Sequence, residues 1–173
     1  LSKIIIKDAN SYFLIFYLIF SRIIELMISN FNTKKLLKKG AMEYYPHHYK
    51  FIVFFHVFFI IYFLIKSFQI IEIDNKLLII FFFIQILRYK IIFDLGKNWT
   101  TRIIVSKNIP LVKTGFYRFL KHPNYVVVYI EVFLICLIFY DYRALLIFTL
   151  LNQILILVRI YYENKANGLR KYK

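Results

Sequence analysis

The residues of this chain that are able to do chemistry fall in two groups. The first is the run Gly115 to Tyr125, which holds Tyr117, Arg118, Lys121, His122, Pro123, Asn124 and Tyr125 and ends where a long apolar segment begins. The second is Arg159 and Glu163, four residues apart and so on one face of a helix. Together they place polar side chains at the rim of an apolar span, near a second helix end that returns an arginine and a carboxylate. This order of elements suggests an enzyme active site at a membrane surface rather than a bare hydrophobic anchor. Each group also has a plainer reading. Proline is tolerated in the first turn of a helix, so His122-Pro123 could simply start one. Arg159 and Glu163 could be an ordinary ion pair.

The elements that must position these groups are membrane spans. The chain has 173 residues, of which 61% are hydrophobic, and its mean hydropathy is +0.62. With four glycines and three prolines, that composition lies outside the range of soluble domains, whose apolar share is roughly half. The fold expected is an all-α integral membrane protein forming one domain over residues 1–173. Apolar stretches at 12–29, 51–65, 77–93, 125–140 and 144–160 give about five helices. Some fall short of the roughly 20 residues that cross a bilayer, so flanking Tyr, Lys and Arg should sit in the interface. Arg88 and Lys90 are expected to snorkel from the end of the third span. The short link Asp141-Tyr142-Arg143 makes the last two spans an antiparallel hairpin.

Charge orients the spans. The net charge is +15, and eighteen of the 24 lysines and arginines fall in the loops after spans one and three and in the tail. Five fall on the other side, and Arg22 lies within the first span. By the positive-inside rule the N-terminus is outside, and the C-terminus and both polar groups are cytoplasmic. Attraction to anionic lipid headgroups accounts for the basic loops, and no nucleic-acid partner is expected. The first apolar run carries Arg22 and Glu25 without a small-residue cleavage site, so no cleaved leader is expected. Cys136 lies in an apolar run and reads as packing, and His56 as a buried histidine with its hydrogen bonds met. His47 and His48 with Glu43 lack a third ligand and read as an interfacial loop; no metal is expected.

The run Leu111-Val112-Lys113-Thr114-Gly115-Phe116-Tyr117, then Lys121-His122-Pro123-Asn124-Tyr125, followed by Arg159 and Glu163, resembles the isoprenylcysteine carboxyl methyltransferase family. Asn98-Trp99-Thr100-Thr101-Arg102 is similar to its small bacterial branch, which includes alkylpyrone and alkylresorcinol O-methyltransferases. The resemblance implies a membrane enzyme that uses S-adenosylmethionine, with its cofactor part at about 96–173. It implies that Ile109, Pro110, Leu111 and Val112 touch the cofactor through backbone and apolar contacts. Tyr117, His122, Pro123, Asn124 and Tyr125 would line its pocket, Glu163 would bind it from the opposite helix, and Arg159 would face the acceptor's nucleophilic oxygen. Arg102 stands near where eukaryotic members carry a glutamine, and Asn164 where the family usually has a second acid.

Because a sulfonium methyl is already electrophilic, the protein must mainly align donor and acceptor and exclude water. A carboxylate acceptor needs a cation such as Arg159 and no base, whereas a hydroxyl would gain from one. Glu131, inside the fourth span, is the catalytic candidate for that base, with a structural partnership to Arg22 as its alternative. The acceptor would be lipid-tailed, either a lipidic small molecule or a prenylated one, its tail remaining among membrane lipids. Two other readings stand beside this one. Sterol-type reductases that use NADPH resemble the His-Pro-Asn-Tyr segment, but there Gly-Glu typically follows, where Val126-Val127-Val128 stands here. A non-enzymatic membrane subunit is the third.

Overall fold

The computed structural model describes residues 9–69, 72–106 and 111–168. Five helices follow in order: α1 (Ala9–Lys38), α2 (Pro46–Ser67), α3 (Asn75–Leu95), α4 (Pro123–Ile138) and α5 (Tyr142–Gly168). Three of them, α1, α2 and α5, are long and apolar enough to cross a membrane; α4 is apolar but shorter, at 16 residues. The all-α membrane fold expected from composition is the fold observed.

Local signals explain the helix ends. Pro46 opens α2, and the Asp74 side chain caps α3 by accepting from the backbone N–H groups of Lys76 (2.9 Å) and Leu77 (3.1 Å). Asp141 closes the α4–α5 link. Its carboxylate accepts from Ala144 N (3.0 Å), the Tyr62 hydroxyl (2.8 Å) and Lys66 Nζ (2.8 Å). Burial pushes this carboxyl's pKa up, but these donors more than offset it and hold it below its ordinary value. The hairpin is as expected, and Asp141 also ties it to α2.

α4 packs between α3 and α5, α5 packs on α2, and α2 on α1. The apolar core gathers Phe59, Phe63, Phe81, Phe139 and Phe148 with Leu14, Ile15 and Leu18. The Phe63 and Phe139 ring centroids lie 5.0 Å apart, as do those of Phe59 and Phe148. The circle closes through long polar side chains. From α1, Arg22 donates to Glu131 Oε2 of α4 (2.8 Å) and to Glu25 Oε2 (2.8 Å). From α3, Arg88 grips both oxygens of Glu25 (2.6 and 2.7 Å) and donates to Glu131 Oε2 (2.6 Å), while Gln85 donates to Glu131 Oε1 (2.7 Å).

Two expectations change. Arg88 does not snorkel: it is 4% exposed and turned inward, because Glu25 and Glu131 offer it two carboxylates at mid-span. Lys90, on another face, is exposed and pairs with Asp94. Helix α1 also runs well past residue 29, to Lys38. Its polar residues there hold the turn after α3: Asn32 donates to the carbonyls of Trp99 (2.8 Å) and Gly96 (3.2 Å), and Ser29 accepts from Thr101 N (2.8 Å). Beyond it, Gly40 takes a positive φ of 81° to turn the chain, and strand β1 (Met42–Glu43) pairs antiparallel with β2 (Ile104–Val105).

Candidate active site

The basic loops and helix ends enclose a cavity of about 740 Å³, within the ~300–1,000 Å³ range of small-molecule sites. Its walls come from the end of α1 and the link after it (Leu36, Ala41), the segment Asn98 to Ser106, the run Leu111 to Tyr125, and Arg159, Glu163 and Asn167 of α5. The two groups singled out in the sequence therefore meet in one place.

Their contacts form a chain. Pro123 starts α4 and is buried, which aims Asn124 and Tyr125 from the first turn. Arg159 Nε donates to the Tyr125 hydroxyl (3.1 Å), which in turn donates to Glu163 Oε2. His122 Nε2 lies 3.1 Å from Asn164 Oδ1, and its Nδ1 lies 3.7 Å from Glu163 Oε1. The amide at 164, where the family usually has an acid, is thus a partner for His122. Arg159 Nη1 lies 3.0 Å from His48 Nε2, and His48 Nδ1 contacts the Tyr45 carbonyl. Since arginine only donates, His48 must be the tautomer that accepts at Nε2 and donates from Nδ1. Tyr125 and His48 thus fix the guanidinium, and no described residue takes its Nη2.

Three features prepare the cavity for a ligand. Asn124 Oδ1 is buried without a hydrogen-bond partner among the described residues, an acceptor that a bound donor would satisfy. Lys113, Arg118, Lys121, Arg159 and Arg102, the last already paired with Glu43 (3.1 Å), line it with one carboxylate among the described residues, Glu163, so the lining suits a molecule carrying an anionic group. Tyr117 also lines the wall. Burial pushes its phenol well above the ordinary tyrosine value, with Glu163 and Asp94 adding to the shift, so it stays a neutral hydroxyl.

The loop that carries Tyr117 is seated by Gly115. This glycine has φ of +57°, and a Cβ there would overlap the Asp94 carboxylate, whose Oδ2 accepts from Phe116 N (3.2 Å). Gly115→Ala should therefore lift the loop off α3. We expect trypsin to cleave at Lys113, Arg118 and Lys121 several times faster in this variant, with little change in helix content by circular dichroism.

Among the residues expected from sequence, Leu111, Val112, Tyr117, His122, Asn124, Tyr125, Arg159 and Glu163 line the cavity. Pro123 shapes the helix start without lining it, and Ile109 and Pro110 lie outside the described residues. Glu131 is placed elsewhere. It is 1% exposed, both oxygens are taken by Arg22, Arg88 and Gln85, and it is not part of the cavity wall. The geometry gives it the structural role, not that of a base. His48 was missed: it sits in the first turn of α2, not in a loop, and no spacing in the sequence links it to Arg159. The β1–β2 ribbon was missed too, because two-residue strands carry no readable alternation.

Comparison with known proteins identifies the family. The sequence profile described as the isoprenylcysteine carboxyl methyltransferase (ICMT) family matches residues 77–167. The chain is also 33% identical over 157 residues to "Uncharacterized protein YpbQ" of Bacillus subtilis (strain 168), covering 88% of this chain and 94% of that protein. No solved structure matches. The match covers the helices that bring His122, Asn124 and Tyr125 to Arg159 and Glu163, and the chain belongs to the isoprenylcysteine carboxyl methyltransferase family of membrane methyltransferases.

Proposed function

We propose that the chain transfers a methyl group from S-adenosylmethionine to an oxygen of a lipid-tailed acceptor, at the cytoplasmic face of the membrane. The observation that carries this reading is the meeting of Tyr125, Arg159 and Glu163 in one basic cavity with an Asn124 acceptor that no described residue pairs. The residues fit the cofactor: Asn124 and Glu163 can accept from its amino groups, and the cationic lining can take its carboxylate. When bound, the cofactor supplies an electrophilic methyl on a sulfonium, so no residue needs to activate the donor.

The chain's own residues orient the reactants. Arg159, held from two sides, keeps Nη2 for an acceptor oxygen and fixes its line of approach. Tyr117 and Trp99 line the wall against which the reactants would be held. Among the described residues Glu163 is the one carboxylate lining the cavity, and it is engaged by Tyr125. This favours an acceptor that arrives already ionised, a carboxylate, over a hydroxyl that must lose a proton.

A second, open groove of about 520 Å³ along α2 supports a lipidic acceptor. Val53, Phe54 and Val57 line its apolar part, and Tyr49, Lys50 and the ion pair of Arg102 with Glu43 (3.1 Å) line its polar end. Arg102 also lines the cofactor cavity, so a tail in the groove places its head beside the donor.

Titration calorimetry of the detergent-solubilised protein tests the proposal with S-adenosylmethionine, its demethylated product and NADPH. Binding of the product and not of NADPH is expected. NADPH binding alone would turn the reading to a reductase, and no binding at all to a non-enzymatic subunit. Radiolabelled methyl transfer to prenylcysteine analogues and to total lipid then identifies the acceptor.

A further inference from the structure

One surface of the molecule is apolar where no span explains it. Phe119 is 81% exposed and Leu120 48% exposed, both outside the helices, in the segment that leads from the Gly115–Arg118 turn to Pro123. Lys113, Arg118 and Lys121 of the same segment are exposed too, with the Arg118 guanidinium 5.9 Å from the Phe119 ring centroid. An exposed phenylalanine and leucine in a segment with three exposed cations is a poor surface for water. It is a good one for the headgroup layer of an anionic bilayer, where rings sit at the acyl boundary and cations meet phosphate.

The length of α4 places the segment at that depth. Sixteen residues span about 24 Å, less than the ~30 Å of hydrocarbon. The far end of α4 is pinned beside the polar cluster of Asp141, Lys66 and Tyr62, a group that belongs at the opposite interface. Pro123 therefore cannot rise clear of the lipid. Helix α5 can: it passes His122 at Asn164 and continues to Gly168. The start of α4 is thus recessed beside a projecting neighbour, and Phe119 and Leu120 lie only three or four residues before it.

We propose that residues 111–121 form a lipid-anchored wall of the cofactor cavity: Phe119 and Leu120 insert into the leaflet, while Lys113, Arg118 and Lys121 bind anionic phospholipid headgroups. All five side chains also line the cavity, together with Leu111, Val112 and Tyr117 of the same segment. Anionic lipid then sets the position of the wall that holds the cofactor. The insertion stands independently of the methyl-transfer reading; its effect on cofactor affinity rests on that reading.

The test is a depth measurement on the full chain in nanodiscs. Cys136 is buried, so an environment-sensitive maleimide dye on Phe119→Cys reports position 119. In discs of phosphatidylcholine with a third phosphatidylglycerol, the dye should be quenched by brominated acyl chains and protected from aqueous iodide. In phosphatidylcholine alone, and in the Lys113→Gln/Arg118→Gln/Lys121→Gln variant in either disc, protection should fall at least threefold. Iodide access that is equally high in every disc overturns the proposal, as does protection that ignores lipid charge. Affinity of the unlabelled protein for the demethylated cofactor should rise severalfold with phosphatidylglycerol. A dye that inserts in a protein that binds no cofactor removes the methyl-transfer reading and leaves the anchored segment standing.

Discussion

Replacing Glu131 with leucine is expected to lower stability by about 3–5 kcal/mol, the usual cost of removing one partner from a buried ionic cluster. Arg22 and Arg88 both donate to Glu131 Oε2, so the variant leaves two guanidiniums at mid-span facing one carboxylate, Glu25. An unpaired charge inside a bilayer is costly, and Gln85 would lose its acceptor as well. Thermal unfolding followed by fluorescence-detected size exclusion should show an earlier transition and less monodisperse protein. The partner experiment separates charge from packing. In Glu131→Leu/Arg22→Met the surviving charges are Arg88 and Glu25, already joined by two hydrogen bonds of 2.6 and 2.7 Å. That double variant should regain most of the lost stability. If it is no more stable than Glu131→Leu alone, the cluster does not hold the bundle in the way described.

The second large effect concerns transfer rather than folding. Arg159→Met is expected to lower kcat/KM about 10²–10³-fold, as loss of one preorganised donor at a reacting oxygen does. Affinity for the demethylated cofactor should change by less than about tenfold, because the variant costs the cofactor side only the hydrogen bond that steadies Tyr125. Arg159→Lys keeps the charge but cannot hold Tyr125 and His48 while also reaching the acceptor, so it should recover only part of the rate. Equal losses in cofactor affinity and turnover would mean that Arg159 belongs to the cofactor's pocket.

What the sequence showed depended on the range of the signal. Five helices and the α4–α5 hairpin were legible because apolar runs and a short turn are local patterns. The meeting of His122, Asn124 and Tyr125 with Arg159 and Glu163 followed from the hairpin, which places their helix ends side by side. Three features had no local signature. Arg88 looked like a snorkelling residue because its partners lie 63 and 43 positions away, at Glu25 and Glu131. The extension of α1 past residue 29 was hidden by its polar composition, which reads as loop until Ser29 and Asn32 are seen holding the turn after α3. His48 resembles many interfacial histidines, and only the packing of α2 on α5 gives it Arg159.

The two-residue ribbon has a consequence for synthesis. Met42 pairs with Val105, so the link after α2's predecessor is joined to the link before α4, and the wall at Ile103 to Ser106 depends on both. A nascent chain that has released only α1 and α2 holds one strand without its mate, and the site waits for Arg159 and Glu163 near the far end. Ligand capture therefore reports completion of the whole bundle, and separately expressed pieces divided between α2 and α3 would have to find each other before either could bind.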